Sequence, residues 1–272
     1  MRAINKTAVL IVIVFFLFGC GDYQGQTSNS QKISFEQVEI SAKDGDCDDP
    51  NSDYCAEIKI EYPVFSIPGK REIEKKINNF VRKEMLIPIF DGNVIDSFDD
   101  LVRYFFDEYR QFKTDIPDSY QEWIIERSGI VKFYNDDFIS LDFSEYAYLG
   151  GAHPNHYILF TVLDLNNGEK ITLEDIFIEG YKPILNKITE EEFRKLKELE
   201  EHEDLDNAGF WFENNKFSIN DNFALGGDGV TFYYNSYEIT AYAYGPTELI
   251  IPLAKISELI KEGGVLSEFM KQ

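Results

Sequence analysis

Apolar positions recur with a period near two in the first folded stretch. Ile33, Phe35, Val38 and Ile40 predict a strand over 33–42, and Ile58, Ile60 and Tyr62 predict a second over 56–63. The period then lengthens. Ile73, Ile77, Phe80, Val81 and Met85 share one face of a helix over 70–86, which stops before Pro88. Asp96-Ser-Phe-Asp99 caps a second helix carrying Leu101, Tyr104, Phe105, Tyr109 and Phe112. Strand patterns follow at 120–126, 129–134, 138–146 and 156–164, with Asn135-Asp136-Asp137 as a turn. Asn166-Asn-Gly168 makes another turn, and Thr172 with Asp175 opens a short helix. Leu185, Ile188, Phe193, Leu196 and Leu199 predict a helix over 181–202. Short strands at 217–219, 222–225, 229–234 and 248–253 precede a last helix over 254–260. Strand runs interrupted by helices predict an α+β fold, a mostly antiparallel sheet with helices packed on it. The folded part is expected as an N-terminal α+β half, 33–135, and a C-terminal α+β half, 136–272, packed as one unit.

The first residues change the picture. Met1-Arg-Ala-Ile-Asn-Lys6 is basic, and the apolar run Ala8–Phe18 is too short to span a bilayer, which fits a signal peptide over 1–19. Leu17-Phe-Gly-Cys20 resembles a bacterial lipobox, with Phe18 larger than usual. That resemblance implies lipidation of Cys20, a membrane held through the lipid anchor, and an extracytoplasmic place in the cell envelope. Gly21 follows the cysteine instead of Asp, which implies the outer membrane if the cell is Gram-negative. Residues 20–32 then form a polar tether.

The chain carries 49 acidic and 26 basic residues, a formal charge of −23. Loss of Arg2 and Lys6 with the signal deepens it. Such a field repels nucleic acid and excludes it as a partner, and it attracts cationic proteins. Cys47 and Cys55 are the remaining cysteines of an exported chain and are expected to pair, closing a local hairpin loop. That loop holds Asp44, Asp46, Asp48, Asn51 and Asp53. Its spacing puts Asp49 where a calcium loop needs glycine and Cys55 where it needs glutamate, so a solvated acidic turn is expected.

Three ordered blocks carry a resemblance to a known family. They are Tyr148-Leu-Gly-Gly-Ala-His153 with Asp164-Leu-Asn-Asn-Gly168 and Leu173-Glu-Asp-Ile-Phe177, then Phe223-Ala-Leu-Gly-Gly-Asp-Gly-Val-Thr-Phe232, then Tyr237-Glu-Ile-Thr-Ala-Tyr-Ala-Tyr-Gly245 with Ile250-Ile-Pro-Leu253. Over about 33–262 the chain resembles the RsiV-like extracytoplasmic domain family. That family includes a lysozyme-receptor ectodomain and the accessory domain of PdaC-type peptidoglycan deacetylases. The resemblance implies a binding or sensing module for a lysozyme-like protein or for peptidoglycan. Too few residues precede the signal core to hold a sigma factor, and no deacetylase metal motif is present.

Candidate chemistry is sparse. Gly150-Gly151 fits a hairpin turn, and His153 is expected to bond the turn backbone. No Gly-x-Ser-x-Gly elbow occurs, and neither a cofactor nor a metal is expected. An enzyme using His153 as base, or as a zinc ligand with His156 and Glu145 or Asp164, is the alternative; a structural envelope-assembly lipoprotein is another. Gly226-Gly-Asp-Gly229 reads as a turn, because no helix follows it. The tyrosines Tyr233, Tyr234, Tyr237, Tyr242 and Tyr244 are expected on strands, with alternate members outward. The binding candidates are therefore Tyr148, His153, Tyr237, Tyr242, Tyr244 and Pro246.

Overall fold

A computed structural model describes residues 33–49, 52, 54–90 and 94–266. The signal-like run, Cys20 and the tether lie outside these residues, as do Asn51 and Asp53 of the acidic loop. The described chain is α+β. It forms a five-stranded sheet in the order β1-β2-β3-β4-β5 and a three-stranded sheet in the order β6-β7-β8. Two compact units divide it: the chain up to Gly129 together with Ser144–His156, and Ile130–Phe143 together with Tyr157 onward. The sequence suggested one cut after Asn135. The division is discontinuous instead, because three strands each begin in one unit and end in the other.

In the first unit, β1 (Ser34–Gly45) and β2 (Cys55–Ser66) pair antiparallel from Ser34↔Ser66 to Gly45↔Cys55. Alternation along β2 buries Ala56, Ile58 and Ile60 and turns Glu57, Lys59 and Glu61 to the other face. Helix α1 (Arg71–Met85) buries Ile77, Val81 and Met85. It is tied to β2 by Asn78, which accepts from Phe65 N and donates to Phe65 O, both at 2.8 Å. Helix α2 (Phe98–Asp115) starts at Ser97, whose hydroxyl accepts from Asp100 N at 3.1 Å. The two helices fill the crossover that parallel neighbours require. β3 (Trp123–Tyr134) accordingly pairs parallel with β2, from Ala56↔Trp123 to Glu61↔Ser128.

The break expected near Arg127 does not occur. Arg127 is 5% exposed and sits inside the strand's buried alternation. Its Nε lies 2.6 Å from Glu145 Oε2, and its Nη1 donates to Met85 O at 2.9 Å and Ile87 O at 2.6 Å. A charge reads as an interruption in sequence, but with these partners it is accommodated inside.

At the far end of the hairpin Cys47 and Cys55 are disulfide-bonded, with Cα atoms 4.7 Å apart. Asp44 is buried and held by Arg110 Nε at 2.8 Å, with the Tyr54 hydroxyl donating to it at 3.4 Å. This buried acid of the loop is thus part of an ion pair. Tyr109 accepts from Cys55 N at 2.9 Å and packs with Phe112 around Trp123.

β4 (Phe138–Tyr148) and β5 (Asn155–Asp164) complete the larger sheet. In the second unit a capping box of Thr172 and Asp175 starts α3 (Leu173–Ile176), and α4 spans Tyr181–Leu196. α4 buries Tyr181, Leu185 and Phe193, and Phe193 meets Phe210, Phe212 and Phe217 in an aromatic core. This helix ends short of the expected His202. Glu198 takes a φ of 56°, and Arg194 Nη1 satisfies the carbonyls of Glu200 at 3.0 Å and Glu203 at 2.9 Å. Phe217–Ile219 is not a strand: Ile219 N is bound by Asn186 Oδ1 at 3.0 Å.

β6 (Phe223–Gly226), β7 (Gly229–Tyr234) and β8 (Thr247–Ile251) form an antiparallel meander. Gly226 pairs with Gly229 across the expected turn. At Gly229 a Cβ would collide with the Ile251 carbonyl, so the position demands glycine. The expected last helix is one α-turn, α5 (Leu253–Ile256), followed by a 3₁₀ turn.

Candidate functional site

The tyrosine group separates into core and loop. Tyr233 and Tyr234 belong to β7 and are buried, and burial pushes both hydroxyls up in pKa. They are neutral donors; Tyr234 Oη donates to Ser218 O at 2.9 Å. Residues 235–246 are not strand as expected. They form the loop between β7 and β8, with a 3₁₀ turn at Tyr242–Tyr244. Tyr237 is 52% exposed and Tyr244 70%. The rings of Tyr237 and Tyr242 lie 5.4 Å apart at 34°, a contact that leaves Tyr242 half-buried. Pro246 is exposed after Gly245.

This loop is held at several points. Asn235 Oδ1 accepts from Ile158 N at 2.7 Å, and its Nδ2 donates to Ile158 O at 3.0 Å. Asn235 N donates to Glu238 Oε2 at 2.8 Å, and Glu238 Oε1 accepts from Asn220 Nδ2 at 2.6 Å. Thr240 Oγ1 donates to Gly209 O at 2.9 Å, and Trp211 N donates to Ile239 O at 2.8 Å. Trp211 is itself 52% exposed and therefore adds a large aromatic ring to a segment bonded to the loop. Sequence reading did not single it out, since Gly-Phe-Trp-Phe carries no spacing that tells outward rings from inward ones.

Tyr237 adopts a φ of 68°. For a large side chain this left-handed conformation costs about 1–3 kcal/mol and persists only where surrounding bonds enforce it. Here the enforcing bonds are those of Asn235 and Glu238 on either side. The result is a pinned loop displaying rigid amphipathic rings, the composition typical of recognition surfaces.

Tyr148, the last residue of β4, and His153, in the turn between β4 and β5, lie in the other unit. Gly150 and Gly151 have φ values of 86° and 107°, the conformation that requires glycine. Tyr148 Oη donates to Gly151 O at 3.4 Å, and His153 Nδ1 lies 3.0 Å from Pro154 O. The exposed imidazole of His153 thus bonds the turn backbone. Among the described residues no group of three or more His, Cys, Asp or Glu side chains is placed to hold a metal ion.

Similarity to known proteins follows the same division. Residues 50–156 match a family model described as deacetylase PdaC, ending on the last residue of the first unit. Residues 174–254 match one described as a protein of unknown function (DUF3298), inside the second unit. The chain is 26% identical over 182 residues to the peptidoglycan-N-acetylmuramic acid deacetylase PdaC of Bacillus subtilis, covering 64% of this chain and 38% of that protein. It therefore spans well under half the length of that relative. Among solved structures, a DUF3298 family member from Bacteroides fragilis superposes with a TM-score of 0.70 at 20% identity, covering 90% of this chain and all of that one. A DUF3298 family protein from Pseudomonas aeruginosa gives a TM-score of 0.61 at 18% identity, covering 85% of this chain and 96% of that one. These likenesses show the fold.

Proposed function

We propose that this chain is a non-catalytic binding module of the bacterial cell envelope, with peptidoglycan as its ligand and the loop 235–246 as its recognition surface. The observation that carries this reading is the pinned, strained aromatic loop: Tyr237, Tyr242 and Tyr244 with Trp211 bonded beside them. Rings fixed before binding lose little entropy on contact, and their faces suit the apolar faces of sugars or peptide. The likeness to a deacetylase that acts on peptidoglycan supports the same compartment and polymer. In this reading Cys20 is the lipid-bearing residue, and the tether 20–32 holds the folded part at the membrane surface.

The formal charge of −23 favours a second ligand class, a cationic lysozyme-like protein, because opposite fields speed encounter. Salt separates the two. Co-sedimentation of the full chain with insoluble peptidoglycan is expected to persist at about 0.15 M salt. There the Debye length is near 8 Å, and binding driven by surface charge is weakened. No sedimentation with peptidoglycan at any salt, with retention on a lysozyme column at low salt, favours the second ligand; retention on neither removes both.

A further inference from the structure

A polar cleft on the first unit's sheet lies outside the aromatic loop. The buried residues of β2 face α1, so Glu57, Lys59 and Glu61 occupy the opposite face. Glu126 and Ser128 of β3 are register partners of Lys59 and Glu61 and stand beside them. Lys59, Glu61, Glu126, Arg127 and Ser128, with Ser144 and Tyr146 of β4 and His156 of β5, line a cleft of about 190 Å³.

The polar inventory is mixed. Lys59 Nζ bridges Glu39 at 3.4 Å and Glu61 at 2.7 Å, and the hydroxyls of Ser128 and Ser144 lie 3.0 Å apart. Arg127 spends its guanidinium on Glu145 and two carbonyls, so its cation is not offered to the cleft. Glu126 and His156 are exposed and make no ion pair among the described residues. The volume falls below the ~300–1,000 Å³ of a drug-sized pocket and suits a single ring. Carboxylate, hydroxyl and imidazole groups around one partly buried phenol match alternating O–H donors and acceptors on a ring with an apolar face. Of the charged lining residues, Glu61 and Glu126 face the one ammonium of Lys59, and the guanidinium of Arg127 is already paired with Glu145, which disfavours an anionic ligand.

We infer that this cleft is a saccharide subsite for one hexose or hexosamine ring without negative charge, distinct from the aromatic loop. It extends the reading of a glycan-binding module but stands on separate residues in the other unit, so the two fail independently. The test is saturation-transfer NMR on the full chain with N-acetylglucosamine as probe and glucuronic acid as anionic control. Transfer to N-acetylglucosamine and much weaker transfer to glucuronic acid are expected. The double variant Glu126→Gln/His156→Ala, at two exposed positions that leave the core intact, is expected to weaken binding about tenfold. Glu262→Gln, at an exposed position outside both the cleft and the aromatic loop, is expected to leave the signal unchanged. No transfer in the unaltered chain, equal transfer to glucuronic acid, or full transfer in the double variant overturns the inference.

Discussion

Asn235 binds both backbone groups of Ile158: its Oδ1 accepts from the amide at 2.7 Å and its Nδ2 donates to the carbonyl at 3.0 Å. A side-chain amide thus stands in for a neighbouring strand along β5. Asn222 does the same beside it, accepting from Phe160 N at 2.7 Å and donating to Ile158 O at 2.8 Å. Together they satisfy an edge that would otherwise offer itself to another chain. Because Asn235 is also the first residue of the aromatic loop, one side chain both covers part of the edge and fixes the loop's origin.

Asn235→Ala removes two such bonds: Ile158 N loses Asn235 Oδ1, while Ile158 O keeps the bond from Asn222 Nδ2. A loss of about 2–3 kcal/mol in urea denaturation is expected, together with faster amide exchange in the loop. Asn235→Asp keeps the acceptor and loses the donor, so its loss is expected to be the smaller of the two.

Arg127→Met breaks the pair with Glu145 and abandons the carbonyls of Met85 and Ile87. Removing one partner of a buried pair costs about 3–5 kcal/mol, and Glu145 is partly exposed, so about 3 kcal/mol is expected. The double change Arg127→Met/Glu145→Gln is expected to recover part of it, which a double-mutant cycle measures.

Much of this was legible in the sequence. Alternation marked β1 and β2, a period near 3.6 marked α1 and α2, and the Thr172–Asp175 box marked the start of α3. What was not legible depended on partners distant in sequence. Arg127 looked like a strand break until its three acceptors were placed around it. Tyr237–Pro246 looked like strand because tyrosines favour strands, whereas Asn235, Glu238 and Thr240 bond it as a loop. The outward rings followed from that loop, and Trp211 joined it only through Ile239.

Serine at both Cys47 and Cys55 opens a short loop and is expected to cost about 2–3 kcal/mol. The effect is local: exchange of the backbone amide at position 55, which Tyr109 holds, accelerates first, while the 230s strand region keeps its protection. Uniform loss of protection across both units would contradict it.

Acid sensitivity has a named source at Glu192. Hydrogen bonds from Lys195 and then Lys255 hold its carboxyl below the ordinary value of 4.5. The folded state therefore binds the proton less readily than the unfolded chain. The stabilisation is complete above about pH 5 and disappears as pH falls through the depressed folded value. Between pH 5 and pH 3 the unaltered chain is expected to lose more stability than Glu192→Gln, as measured by denaturant midpoints at each pH.

The central claim concerns the aromatic loop, and its most direct test is the binding isotherm of the full chain on purified insoluble peptidoglycan, compared with Tyr237→Ala/Tyr244→Ala. Both rings are exposed, so the double variant keeps the core. Loss of two anchors worth about 1–2 kcal/mol each predicts binding weakened by roughly 30-fold or more, with thermal stability little changed, since alanine at 237 carries the same backbone penalty as tyrosine. An isotherm that the double variant leaves in place would contradict the account.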